Sequence, residues 1–288
     1  MSFFDELFGK KKPESSESHP VRPHTPAVLP PVKAQPAQSP AAPPVVDPAR
    51  DKNMIQVFDA YGREMHITKD VWRKNVLPGT LKSNWDKPDQ LAGIIIGALS
   101  DGFRSDVIAA AEHLYQIDPQ PERGTCVWAV VLNEEGNHIE AEKVLRGYIA
   151  KHGENGSVLT NLAKVYAKRS HHREAEEILW HALKIDPNQD NGLGWYTAIH
   201  KDRGGEVAWL KALHRIAALP GSWRAQLWLA RSALQSKDLE SALAYYHQAL
   251  SHVKPPVPTD LLGQMSGDLG NAAHLPELLQ LTEPYFVP

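Results

Sequence analysis

The chain has a single cysteine, Cys126, and no long apolar run. One cysteine excludes an intramolecular disulfide and is typical of a reducing compartment. Without a stretch of about 18 apolar residues, there is no candidate for a membrane-spanning helix. The start, MSFFDELFGKKK, carries acidic residues where a secretion signal would be basic, and no long apolar stretch follows it. We therefore expect a cytoplasmic protein.

Aromatic residues are missing between Phe8 and Asp51, a stretch that holds eleven of the 23 prolines. A segment of this composition cannot bury enough apolar surface to offset the entropy that it loses on ordering. We predict a disordered, proline-rich linker over residues 13–53. The residues before it, 1–12, form a short aromatic and basic segment of their own.

Neither sign of charge dominates, since 31 lysines and arginines face 34 acidic residues, for a net charge of −3 at pH 7. The first fifty residues hold 6 basic and 5 acidic residues, so the rest of the chain, with 25 and 29, is slightly acidic. A protein that binds nucleic acid usually has a basic excess. The composition therefore predicts no nucleic-acid partner.

What the chain does contain is internal repetition with a period of 34 residues. The tripeptide Ile-Asp-Pro occurs at 117–119 and at 185–187, a separation of 68, which is twice 34. Apolar residues at helical spacing on both sides of a polar break predict two antiparallel helices in each copy. The last copy is offset by 33 residues, which indicates that one residue is missing near RGGEVAW.

The columns that recur are a large residue followed by a small one, an aromatic or aliphatic residue, a small residue opening the second helix, and a terminal proline. In one copy they are Leu162, Ala163, Tyr166, Ala175 and Pro187. This pattern resembles the tetratricopeptide repeat family of bacterial type, over roughly residues 88–253. The resemblance implies an all-α solenoid of helical hairpins, in which each hairpin buries its apolar stripe against its neighbours.

We predict caps at both ends of the array. Residues 54–87 alternate around Tyr61-Gly62 as a β-hairpin and continue into a short helix. The repeats follow over 88–256, and residues 257–288 form two closing helices. The predicted fold class is therefore an all-α, tetratricopeptide-like solenoid with a small N-terminal β-hairpin cap and a disordered proline-rich tail.

One stretch has the residue types of a metal site. These residues are His171, His172, Glu174, Glu177 and His181. The first two fall in an interhelix turn, and the last two lie four apart on a helix, which does not close a tetrahedral zinc site. We interpret them as solvent-facing residues and expect no metal or other cofactor. Cys126 lacks a histidine partner in any motif, so a packed thiol is favoured and no enzymatic activity is expected.

The candidate binding surface lies on the first helices of the repeats. Trp195 and Trp228 occupy the same column of successive copies, and Asn161 holds the equivalent place one copy earlier. Each tryptophan directly precedes a core residue, and one residue turns about 100° around a helix, so its side chain points away from the apolar stripe. The resemblance implies that this direction is the concave face, where family members bind peptides. An alternative stays open, in which both tryptophans pack between neighbouring first helices.

Basic residues surround this surface. They are Lys164, Lys168, Arg224 and Arg231. Because tryptophans supply apolar contact area and cations meet carboxylates, the expected ligand is an extended or C-terminal peptide with apolar and acidic groups. We predict a non-catalytic adaptor that binds a protein or peptide in the concave groove. In the alternative, the phenylalanine-rich segment 1–12 anchors a scaffold to a membrane surface or to a larger complex.

Overall fold

The computed structural model describes residues 53–58 and 61–283. The aromatic segment 1–12 and all of the predicted linker except Asn53 lie outside the described residues. The chain divides into two compact units, Met1–Val131 and Leu132–Pro288. None of the helices described is both long and apolar enough to cross a membrane.

The described part is helical apart from one antiparallel pair of strands, β1 (Met54–Phe58) and β2 (Glu64–Thr68). The helices are α1 (the continuous run Lys69–Val71, Trp72–Val76 and Leu77–Ser83), α2 (Pro88–Ser100), α3 (Ile108–Ile117), α4 (Pro121–Glu134), α5 (His138–His152), α6 (Gly156–Lys168), α7 (His172–Ile185), α8 (Asp190–Ala217), α9 (Arg224–Gln235), α10 (Leu239–Ser251), α11 (Thr259–Asn271) and α12 (Leu275–Thr282). The predicted all-α fold with an N-terminal β-hairpin is confirmed. The boundaries of the two caps, 54–87 and 257–288, stay predictions.

The first unit begins with the β-hairpin. Its strands pair along all five residues of each, with Met54 opposite Thr68. The Thr68 hydroxyl accepts a hydrogen bond from Val71 N, which caps the start of α1. A two-stranded sheet is marginal by itself, and here Ile55 packs on the core formed by α1, α2, α3 and α4. The core therefore holds the hairpin in place.

The second unit repeats one architecture. First helices begin 34 residues apart at Gly156, Asp190 and Arg224, and each is followed by an antiparallel second helix. Ala163 and Ala182, at contact points between helices, are completely buried. Because small side chains let helix backbones approach each other, neighbouring hairpins enclose a continuous core.

The turns inside the hairpins contain residues with positive φ. Gly136, Ser170 and Lys237 lie in three-residue turns, with φ of 83°, 64° and 60°. Helix α8 instead bends at two residues, Gly204 and Gly205, which divide it into a first and a second arm. Gly205 has φ 65° and ψ −156°, a conformation open almost only to glycine. This bend lies within RGGEVAW, and the one residue predicted to be missing there stays a prediction.

Consecutive repeats are tied together next to the second Ile-Asp-Pro motif. The Asp186 carboxylate accepts a hydrogen bond from Asn188 N at 3.0 Å, which closes the turn after α7. The side chain of Asn188 then reaches α9, where its Oδ1 accepts from Trp223 N at 2.8 Å and from Arg224 N at 3.1 Å. The backbone N–H groups at a helix start lack partners within the helix. The Asn188 side chain supplies an acceptor for two of them, and so links one repeat to the next.

Substitutions at two glycines, one in a turn with positive φ and one inside a helix, test the turn geometry. Gly136 has φ 83°, so Gly136→Ala should lower the free energy of unfolding by about 1–2 kcal/mol. Gly147 is an exposed residue inside α5 with open space around it, so Gly147→Ala should raise that free energy by about 0.5–1 kcal/mol. Urea denaturation followed by circular dichroism measures both. Equal losses in the two variants would contradict the assigned turn.

Candidate protein-binding surface

Trp195 on α8 and Trp228 on α9 each lie next to a buried core residue. Tyr196 is 1% exposed and Leu229 is 2% exposed, whereas both tryptophans are only partly buried. Both indoles also pack against the apolar core that α7, α8 and α9 share. Each tryptophan therefore contributes to packing and still presents part of its ring at the surface.

Gly194 brings the two tryptophan positions together. A Cβ atom at this glycine would lie 3.5 Å from Cη2 of Trp228, so the far edge of that indole lies against α8 directly beside Trp195. The Trp228 indole therefore packs against the helix that carries Trp195. Gly194 was not among the predicted residues, although a glycine directly before a tryptophan at a facing position was an available signal.

The predicted polar members of the surface lie on α6. Asn161 is partly buried and donates from its side-chain nitrogen to Ser157 O at 3.0 Å, within its own helix. Lys164 is also partly buried. Lys168, at the end of the helix, lies 3.5 Å from the carboxylate of Glu134, whose side chain is only 5% exposed. Lys168 therefore neutralises a buried carboxylate of its own chain.

Arg224 connects three consecutive repeats. Its guanidinium donates to Asn188 O and to Asp260 Oδ2, and it lies 3.5 Å from Asp190 Oδ1. The side chain is 12% exposed, with its guanidinium 4.7 Å from the ring centre of Trp223. Two carboxylates and a carbonyl oxygen thus engage this cation, which was predicted to meet a ligand.

Arg231 forms a second tie, from α9 to α11. It donates through Nε and Nη2 to the two carboxylate oxygens of Asp268, at 2.9 and 3.1 Å. Such a forked pair is stronger than a single neutral hydrogen bond. Tyr246 of α10 lies behind it with its hydroxyl 3.4 Å from Asp268, and burial, together with that carboxylate, raises the pKa of Tyr246. Asp268 therefore holds Arg231 in place.

Lys168, Arg224 and Arg231 face carboxylates that lie 34 to 37 residues away in the sequence. The carboxylates belong to Glu134, Asp190, Asp260 and Asp268. Residues about one period apart lie on neighbouring first helices, so the repeat period was the only sequence signal for these pairs. Local charge patterns, which report pairs three or four residues apart, could not have shown them.

Trp180 on α7 packs between consecutive hairpins. Its ring lies 5.3 Å from that of Tyr196 on the next hairpin, and the guanidinium of Arg215 lies 3.8 Å from its ring centre. This tryptophan is on a second helix, and a cation of the chain itself stacks on its ring.

Two of the three histidines in the stretch that resembled a metal site pair with separate carboxylates. His171 lies 3.7 Å from Glu174, and His181 lies 2.8 Å from Glu154 in the turn before α6. Within residues 53–58 and 61–283, no three His, Cys, Asp or Glu side chains are grouped in a way that could hold a metal ion.

No protein-family model matches the chain, and no curated protein matches it either. Among solved structures it is similar to TTC0263, a thermophilic TPR protein of Thermus thermophilus, at 17% identity, with a TM-score of 0.37, over 63% of this chain and 98% of the other. It is similar to pilF of Pseudomonas aeruginosa at 16% identity, with a TM-score of 0.36, over 69% and 91%. It is similar to YrrB, a TPR protein with an unusual peptide-binding site, at 15% identity, with a TM-score of 0.33, over 66% and 97%. Similarities of this size do not extend to partners.

A double-mutant cycle with Arg231→Ala and Asp268→Ala measures how firmly Arg231 is engaged. We expect a coupling of about 1–2 kcal/mol in the free energy of unfolding, because two charge-assisted hydrogen bonds join partly buried groups. The exposed pair Arg173 and Glu177, four residues apart on α7, is the control and should couple by about 0.3–0.5 kcal/mol. A coupling near zero between Arg231 and Asp268 would mean that Arg231 is available to a ligand.

Proposed function

We propose that this chain, a stack of tetratricopeptide-like helical hairpins, is a non-catalytic scaffold that binds a segment of another protein on the first helices of its second unit. The observation that carries the proposal is the pair Trp195 and Trp228, one repeat apart and both partly buried, with the Trp228 indole against Gly194. Tryptophans are enriched at the energetic centres of protein interfaces, because an indole buries a large apolar area and has few rotatable bonds. In the family that the chain resembles, this surface is the concave face.

The chemistry of the surface favours a segment with an apolar anchor. Such a side chain would contact the two indoles, while Asn161 and Lys164 on the neighbouring α6 would meet polar or acidic groups. Lys168, Arg224 and Arg231 face carboxylates of the chain, so an acidic group of the ligand would have to compete with residues such as Glu134 and Asp268. Apolar contact therefore provides most of the affinity in this proposal.

The direct test compares the full-length chain with the double variant Trp195→Ala and Trp228→Ala. Proteins retained by the immobilised parent are identified, and the affinity of the retained partner is then measured for both chains. We expect the double variant to lose at least about 2 kcal/mol of binding free energy, roughly thirtyfold in Kd, because both anchors are removed.

Trp180→Ala is the matched control for this experiment. It removes a tryptophan from a second helix together with its contact to Arg215, so it should lower the melting temperature without changing the Kd of the folded chain. The proposal fails if the double variant keeps the parental Kd at a temperature where both chains are folded. The proposal also fails if the double variant loses binding only in proportion to the fraction of it that has unfolded.

The salt dependence of binding tests the chemistry of the ligand separately. Because apolar contacts are little affected by ionic screening, we expect Kd to change by less than about threefold between about 0.05 and 0.5 M NaCl. A change of tenfold or more would show that ion pairs dominate the affinity. In that case the ligand would displace the carboxylates that now hold Lys168 and Arg231.

A further inference from the structure

A group of polar residues recurs one repeat apart, at the contacts between consecutive hairpins. In the first copy, the Glu142 carboxylate on α5 accepts a hydrogen bond from Tyr166 Oη at 2.9 Å and one from Arg169 Nη1 at 2.6 Å. Arg146 adds a third at 2.8 Å. Burial by itself would raise the pKa of Glu142, but the hydrogen bonds from Arg146 and Tyr166 outweigh it and lower that pKa. This copy is a closed hydrogen-bonded network.

The second copy, shifted by 34 residues, has a histidine in place of the tyrosine. Its carboxylate is Glu176 on α7, to which Arg203 donates at 3.0 and 2.6 Å. His200 stands in the tyrosine position, but its Nε2 lies 3.6 Å from Glu176 Oε1, too far for a hydrogen bond. That nitrogen is buried, and no group in the described part of the chain forms a hydrogen bond with it. The second network is therefore incomplete.

The surroundings of His200 disfavour a further positive charge. Arg203 lies on the same arm of α8, and Arg215, on the second arm, is fixed by its stacking on a tryptophan of α7 at 3.8 Å. The Tyr196 ring lies 4.6 Å from the imidazole, and its hydroxyl accepts a hydrogen bond from Arg215. Burial is the largest influence on the pKa of His200 and lowers it; Glu176 opposes this, and the two arginines add to it.

We propose that His200 is a pH-sensitive joint between the hairpin of α6 and α7 and the hairpin formed by α8. With a neutral imidazole the two hairpins pack together, whereas a proton on the ring adds a third cation beside Arg203 and Arg215. Glu176 cannot fully offset that charge, because Arg203 already binds both of its oxygens. Acidification therefore loosens this junction, on the arm of α8 that also carries Trp195.

The direction of the pH effect follows from thermodynamic linkage. In the unfolded chain a histidine has a pKa of about 6.5, and burial holds the pKa of His200 in the folded chain below that value. Folding thus favours the neutral imidazole. The stability that depends on it is complete above about pH 6.5 and is lost as the pH falls from there toward the folded pKa.

The test replaces His200 with tyrosine, the residue at the equivalent position of the first copy. The full-length chain with His200→Tyr is compared with the parent by urea unfolding at about pH 7.5 and about pH 5.5. Over this interval the folding equilibrium constant of the parent should fall by up to about tenfold more than that of the variant, since the parent takes up one more proton on unfolding. His200→Gln, which is neutral and fits a smaller space, should show the same reduced loss.

Two further variants complete the experiment. Tyr166→His places an imidazole among the arginines of the first copy, so its pH dependence should be steeper than that of the parent. His247→Gln changes an exposed histidine on α10 and should leave the parental pH dependence unaltered. The same pH dependence in the parent, His200→Tyr and His200→Gln would overturn the proposal. No ligand enters the measurement, so its outcome is independent of the proposed function.

Discussion

Each hairpin of the second unit has an apolar stripe that it cannot cover by itself, and the whole unit depends on neighbouring hairpins to bury it. The small residues in the repeated columns make this burial possible. Ala163, Ala175 and Ala182 are at most 2% exposed, at points where a longer side chain would hold the helices apart. The stacking also decides which side chains remain for binding, since only those turned away from the stripe reach the surface.

Apolar stacking has little directionality, and polar groups at the junctions supply it. Asn188 caps a helix of the following repeat, and Arg224 joins the starts of three first helices. The networks around Glu142 and Glu176 connect a second helix to the next hairpin. Cations that were predicted to bind a ligand are therefore engaged within the stack itself. The binding proposal depends mainly on the tryptophans for this reason.

The repeats could be predicted because their period, their helix-breaking turns and their alanine columns are all local or strictly periodic in the sequence. The offset of the last copy was visible for the same reason, as a spacing of 33 residues in place of 34. The use of the charges could not be predicted, because the pairing of Arg231 with Asp268 depends on side-chain conformations and on the distance between neighbouring helices. The column placed Trp195 and Trp228 beside the core, but the partial burial of Trp228 depends also on Gly194, whose missing side chain lets that indole lie against α8.

The central claim is that the first helices of the second unit form the binding surface, and amide hydrogen exchange with and without the bound partner tests it most directly. Exchange slows where a partner excludes solvent or suppresses local opening. The account predicts that protection on binding is concentrated in α6, the first arm of α8 and α9, and strongest around Trp195 and Trp228. Protection confined to the second helices α7 and α10, or to the first unit, would contradict it.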